Sequence, residues 1–337
     1  MKVVITGGAG FIGRRIAMRL LARGALAGAD GRDAPIEELV LFDNAPPQLA
    51  LPEDKRLKLV SGDIAEPGLM RRVIAPGTGS VFHLAAIVSA QAEEDTDIGL
   101  RVNLDGTRAV LEACRALGTV PRLVFASSLA VYGGDLPPSV SEAVPLTPQT
   151  SYGSQKAIGE LLVNDYSRKG YIDGRSLRLP TIIVRPGRPN RAASTFASSI
   201  IREPLSGVDV VCPVSRDTVM PALSPRRVAE AFEKAHDLPA SAFGYNRALQ
   251  LPGISPTVAE MVEALRRVAG DEVVRRIQWR PDPVIQKIVD GWPRGIDGRR
   301  AERLGIRADN SMDEIIEAFI ADDLPAQKAL VAAGKAG

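Results

Sequence analysis

The chain of 337 residues holds only two cysteines, Cys114 and Cys212, and two histidines, His83 and His236. Two cysteines without CxxC spacing cannot build a disulfide framework, which points to a reducing compartment. Without an HxxxH or a Cys/His cluster, no zinc site is expected. Charge of one sign is equally scarce: 42 Lys and Arg against 40 Asp and Glu leave a net +2. That balance offers nothing to nucleic-acid phosphates or to an acidic membrane surface. No run approaches the ~18 uninterrupted apolar residues of a spanning helix. The opening MKVVITGGAGFIGRR is broken by glycines and followed by Arg14 and Arg15, unlike a secretory signal. The expectation is a cytoplasmic protein with no nucleic-acid or membrane partner, acting on small molecules.

What is present is a globular composition, 45% hydrophobic and 24% charged, and a length that fits roughly two domains. Apolar runs recur at 2–6, 39–42, 57–60, 80–86 and 122–128 without polar alternation. Strands buried on both faces, as in a covered parallel sheet, read this way. Helical patterns lie between them, one over 14–24 ended by Gly24 and one over about 97–117 ended by Gly118. Strand and helix alternate, so the fold class is α/β, a doubly wound parallel sheet. After about residue 178 the chain becomes rich in proline and arginine. A helix is expected at 192–202 and another at 225–236, then C-terminal helices from about Thr257.

Thr6-Gly-Gly-Ala-Gly-Phe-Ile-Gly13 falls between the first strand and the first helix, where amide groups and a helix N-terminus can receive a dinucleotide pyrophosphate. Gly7 permits the tight turn, Gly10 lets backbone approach phosphate, and Gly13 lets the helix pack closely on the strand. Asp43, closing the second strand, can accept from both adenosine ribose hydroxyls and repels a 2′-phosphate, which selects NAD. Its long interval from Gly13 implies an insertion around residues 27–35. Asp63 and Ile64 can bracket adenine. Tyr152 and Lys156 stand four residues apart on one helix face, so the ammonium can lower the phenol pKa and make it a usable base. Ser127 and Ser128 close the fifth strand, where a hydroxyl can face the same reacting carbon.

The set TGGAGFIG, Asp43, Asp63, HLAA at 83–86, Asn103, FASSLAVYG at 125–133 and YGSQK at 152–156 resembles the extended short-chain dehydrogenase/reductase family, the NAD-dependent epimerase/dehydratases. The resemblance implies a Rossmann-type sheet with a smaller C-terminal substrate-binding lobe. Residues 1–178 with about 213–250 would form the NAD-binding domain, and about 179–212 with 251–337 the lobe. It implies Ser128, Tyr152 and Lys156 as catalytic residues, with Lys156 also on the nicotinamide ribose. Cofactor contacts would come from Gly7, Gly10, Phe11, Ile12, Gly13, Asp43, Asp63, Ile64, Leu84, Ala85, Ala86, Ser127 and Pro180, and Asn103 would support the active-site helix. It also implies a homodimer through the helices near 97–117 and 152–168.

Sugar-nucleotide members differ in instructive places. Thr181 stands where sugar epimerases carry Asn, and Leu129 and Ala130 follow Ser128 where dehydratases carry an Asp-Glu pair, so water elimination lacks its acid and base. Cations stand in their place: Arg185, Arg188 and Arg191, then Ser224-Pro-Arg-Arg227. An arginine binds carboxylate bidentately. This pattern resembles the D-erythronate dehydrogenase branch. It implies NAD-dependent oxidation of the C2 hydroxyl of a short sugar acid, D-erythronate or a close analogue, with Ser89, Ser128, Tyr152 and Thr181 at the substrate and either Arg188 or Arg226 on its carboxylate. Ser89 reads equally as a turn serine. His83 reads as a buried, satisfied strand histidine. The alternatives are a nucleoside-diphosphate-sugar 4-epimerase and a non-catalytic dinucleotide sensor.

Overall fold

The computed structural model describes residues 1–188 and 193–335, the last two by backbone alone. Arg191 lies outside the described residues. Seven parallel strands form the central sheet: β1 (Lys2–Thr6), β2 (Glu38–Asp43), β3 (Leu57–Ser61), β4 (Thr78–His83), β5 (Arg122–Ser128), β6 (Asp173–Leu179) and β7 (Ala248–Gln250). Their order is β7-β6-β5-β4-β1-β2-β3, so the chain reverses direction beside β1. That switch point is where an open α/β sheet binds its ligand, beyond the carboxyl ends of the strands.

The unalternating strand sequences are explained by two cores. Val3 and Ile5 of β1 face Ile16 and Leu20 of α1 (Phe11–Arg23) and Val228 and Phe232 of a later helix, Pro225–Asp237. Val4 faces the opposite side, with Val110, Leu111 and Cys114 of α2 (Gly106–Leu117) and Val163 of α3 (Ser151–Arg168). The inner strands therefore have an apolar layer on each face, and burial at about 25 cal/mol per Å² holds them. By contrast β3, at the edge of the sheet, leaves Lys58, Leu59 and Ser61 exposed, against the expectation of burial on both faces. Gly24 and Gly118 end α1 and α2 at the expected places. The long interval from Gly13 to Asp43 is filled by an antiparallel hairpin, Ala25–Ala27 against Asp33–Pro35.

Two expected boundaries move. The run at 80–86 leaves the sheet at His83, because the next residues form the loop that walls the cleft. The helix expected from about 97 begins as a short turn, Thr96–Gly99, passes through a wide π-helical turn, Leu100–Asp105, and only then becomes α2.

The smaller lobe has its own core, including Ile183, Val184, Ile200, Met261 and Ile316. It is built from α4 (Thr195–Leu205), α6 (Val258–Ala269), α7 (Pro283–Asp290) and α8 (Met312–Asp322), while α5 (Pro225–Asp237) packs on the sheet. Two parallel strand pairs, Thr181–Ile182 with Ala222–Leu223 and Val210–Cys212 with Ile277–Trp279, tie it together. Val214, Met220 and Ala222 pack in this core, beyond the expected crossing at 212, whereas Ala301 and Ile306 pack with the sheet.

Candidate active site

A cleft of about 1220 Å³ runs along the carboxyl ends of the strands and under the lobe. At its floor, Gly7 has φ +70°, and a Cβ there would sit 2.7 Å from the Ala85 nitrogen. A Cβ on Gly13 would sit 2.7 Å from Gly8 Cα. Only glycine lets this loop, the β4 exit and α1 approach so closely. Gly10 caps α1 without any side-chain bond, so the helix presents bare amide groups beside the cleft. This cradle fits a pyrophosphate.

Asp43 is held rigidly: one carboxylate oxygen accepts from Ala9 N at 3.0 Å, the other from Asn44 N at 2.8 Å. Asp63 accepts from Ala65 N at 2.9 Å and pairs with Arg101. Those two contacts, the backbone one first, hold its carboxyl below the ordinary carboxylate range. Phe11, Ile12, Ile64, Leu84, Ala85, Ala86, Ser127 and Pro180 all line the cleft. The residues fit NAD, which supplies the hydride acceptor when bound. Asn103 takes a different place. From the π-helical turn its side chain bonds the backbone of Ile87, accepting at 2.7 Å and donating at 3.1 Å, and donates to Gln155 of α3 at 2.7 Å. It joins the cleft loop to the catalytic helix, because the wide turn frees it to point at both.

Thr150 opens α3 by accepting from Gly153 N at 3.1 Å. The next turn carries Tyr152 and Lys156 into the cleft beside Ser128. The Lys156 ammonium lies 5.5 Å from the Tyr152 ring centroid and 4.8 Å from that of Phe125. Burial pushes the Tyr152 phenol up to about 12, opposed by its hydrogen bond with Ser128. Burial likewise pushes Lys156 down to about 7, opposed by Glu160. The sequence alone predicts a phenol lowered by its lysine; in this protein desolvation is the largest influence and raises it instead. Glu160, a further turn along α3, was not anticipated, though its spacing of four from Lys156 was available. It accepts from Ser127 at 2.5 Å and from Arg178 Nη2 at 2.7 Å, and Arg178 donates to the Tyr132 hydroxyl at 2.6 Å. The Ser127 hydroxyl is thus turned into the structure, while Ser128 bonds Tyr152 at the cleft. His83 is buried between Thr6 Oγ1 at 2.7 Å and Thr107 Oγ1 at 2.9 Å, and burial takes its pKa down to about 3.

Ser89 and Thr181 line the substrate end of the cleft. The two arginines expected to clamp a carboxylate are not among the described residues that line the cleft. Arg188 is exposed and absent from the lining residues. Arg226 grips Asp322 of α8 through Nε at 3.0 Å and Nη2 at 2.8 Å, in a separate groove. The reason is the cap of α5: Ser224 is buried against Asp309 and turns the following arginines outward. Arg185 lines the cleft instead, together with Lys287, Ile288 and Trp292 from α7 and its exit. Nothing local in the sequence marks α7, since only the folding of the lobe over the sheet brings it there. Asp43 and Asp63 are the only carboxylates among the lining residues described, and both belong to the adenosine half.

The model of the NAD dependent epimerase/dehydratase family matches residues 3–246. A curated D-erythronate dehydrogenase of Cupriavidus necator is 52% identical over 322 residues, 96% of this chain and 98% of that protein. One of Haemophilus influenzae is 43% identical, covering 96% of this chain and all 100% of that protein. A solved structure from Agrobacterium tumefaciens, called a nucleoside-diphosphate-sugar epimerase, superposes with a TM-score of 0.91 at 41% identity, over 97% of this chain and 96% of that one. The chain therefore belongs to the NAD-dependent epimerase/dehydratase family and is an NAD-dependent oxidoreductase.

Proposed function

We propose that the protein oxidises the C2 hydroxyl of a short sugar acid, D-erythronate or a close analogue, to the 2-oxo acid. The observation that carries this reading is the charge of the substrate end: Lys156, Arg185 and Lys287 line it, and no described carboxylate does. Such an end favours an anion and gives a dehydratase no acid–base carboxylate pair. The D-erythronate dehydrogenases among its relatives support the same substrate.

Tyr152 takes the C2 hydroxyl proton; NAD, held by the glycine loop, Asp43 and Lys156, would supply the two-electron acceptor for the C2 hydride. Ser128 donates a hydrogen bond to the oxygen as it becomes a carbonyl. Lys156 holds the ribose and, when charged, favours the phenolate. The protein's share is orientation and proton handling. The same reading places the enzyme in the cytoplasm, in keeping with two buried, unpaired cysteines. It makes the enzyme a homodimer through the helices near 97–117 and 152–168, where Leu100 and Leu161 are exposed at 39% and 66%.

The name of the Agrobacterium structure favours a second reading, a sugar-nucleotide 4-epimerase. Absorbance at 340 nm decides between them, with purified protein, NAD and four- to six-carbon aldonic acids beside UDP-sugars. NADH accumulating on a C4 acid supports the dehydrogenase. Isomerised UDP-sugar without NADH supports the epimerase, and NAD binding with neither product leaves a dinucleotide sensor.

A further inference from the structure

Arg178 and Arg202 are buried and Arg185 is half-buried, and the first two have their own acids. Arg178 is clamped by Glu160, with Nε–Oε1 at 2.9 Å and Nη2–Oε2 at 2.7 Å. Arg202 is clamped by Glu203, with Nε at 3.1 Å and Nη2 at 2.6 Å. Arg185 has no carboxylate among the described residues. Its Nε reaches Ser198 Oγ at 3.4 Å and its Nη2 reaches Ser194 Oγ at 3.5 Å, both long. A guanidinium has five N–H donors, so these two bonds leave most of them without a described acceptor.

The rest of Arg185 is fixed. Its backbone N–H donates to Ser198 Oγ at 3.1 Å, and its carbonyl accepts from Arg202 Nη1 at 2.6 Å. Burial, with the charge of Arg202 adding to it, lowers its pKa to about 10, which leaves it fully charged at neutrality. A cation held in place, partly desolvated and lacking an acid is unfavourable for the empty protein, and an incoming anion relieves that cost. Ser194 and Ser198 touch the fork at Nη2 and Nε, and Arg185 and Ser194 line the same cleft as Ser128 and Tyr152. A planar five-donor fork matches the two oxygens of a carboxylate.

Resting on the reading of the enzyme as a sugar-acid dehydrogenase, we propose that Arg185, steadied by Ser194 and Ser198, is the substrate-carboxylate site and sets the preference for acids over neutral polyhydroxy compounds.

The test uses the full-length protein and the variants Arg185→Met and Arg185→Lys. Wild type is assayed on D-erythronate and on D-erythronamide, which keeps the C2 hydroxyl and loses the charge. NAD affinity, read by protein fluorescence, reports an intact fold. Arg185→Met should lower kcat/KM on the acid about 100- to 1,000-fold, mainly through KM, and collapse the acid-to-amide ratio. Arg185→Lys should recover part of the loss, since it keeps charge but not the fork. Equal loss on acid and amide, with the ratio preserved, would mean a merely structural role and would overturn the proposal. So would no loss at all. If Arg185→Met does not fold, the wild-type ratio and Arg185→Lys decide: a ratio near one, or a lysine variant equal to wild type, overturns it. Binding of oxalate to the protein–NADH complex, read by nicotinamide fluorescence, separates this proposal from the reaction itself. Oxalate bound by wild type and lost in Arg185→Met supports the site even if no sugar acid is turned over, whereas equal binding rejects it.

Discussion

Glu160 and Arg178 form a two-pronged ion pair under the catalytic helix, each only 4% exposed. The pair joins α3 to β6, and its outer bonds reach Ser127 of β5 and the Tyr132 hydroxyl. Breaking a buried pair by removing one charge leaves the other unpaired, which costs more than the pair itself contributes. Glu160→Gln should therefore lower unfolding free energy by about 3 kcal/mol or more. The double variant Glu160→Leu/Arg178→Met should lose less than either single one. Urea midpoints with unchanged slopes measure both, and a double variant worse than the sum would remove the pair as a self-contained unit.

His83 gives the protein an acid-sensitive core. Its folded pKa of about 3 stands well below the ordinary 6.5, so between those values the unfolded chain binds a proton that the folded chain does not. The contribution is complete above pH 6.5 and is lost as pH falls toward 3. His236, lowered by burial in the same direction, adds to the trend. Urea midpoints of wild type should fall steadily across this window. His83→Asn, weaker at neutral pH, should show a flatter slope there, and an unchanged slope would place the acid sensitivity elsewhere.

Leu161 is 66% exposed on α3, with Ile158 at 39% on the same helix and Leu100 at 39% just before α2. Apolar residues so placed invite a partner helix pair. Light scattering should return twice the chain mass, and Leu161→Glu should return one chain mass with NAD affinity retained. A monomeric wild type would end the dimer reading.

Five of the seven strands were legible because a covered parallel strand reads as a short apolar run, as in β1 and β2, whereas β6 was not, since it buries Arg175, Ser176 and Arg178 among its apolar residues. The glycine loop and the Tyr152/Lys156 spacing were legible because each acts over a few residues of one element. The carboxylate end was not. Arg185, Arg188 and Arg226 look alike in sequence, and what separates them is which has an acid nearby in space: Asp322 takes Arg226, solvent takes Arg188, and only serine hydroxyls reach Arg185. The phenol pKa misled for a related reason. Spacing reports the Lys156 charge but not the desolvation that opposes it.

That opposition makes a two-sided prediction for the unliganded protein. Lys156 falls from 10.5 to about 7, so between these values the unfolded chain holds the extra proton and stability rises with pH. Tyr152 rises from 10 to about 12, so above pH 10 the folded chain holds the extra proton and stability falls toward 12. Lys156→Met should flatten the rising part and Tyr152→Phe the falling part, read as urea midpoints against pH. On the proposed mechanism the same pair governs turnover. Oxidation needs the phenolate, so kcat/KM on D-erythronate should climb with pH as Tyr152 loses its proton, and Tyr152→Phe should cost about 100-fold or more with NAD affinity kept. Lys156→Met removes the charge that favours phenolate while Lys156 holds its proton, and should carry the neutral-pH foot of the climbing limb to higher pH. A limb that stays in place would leave Lys156 with the ribose alone and would pass the tuning of Tyr152 to Ser128.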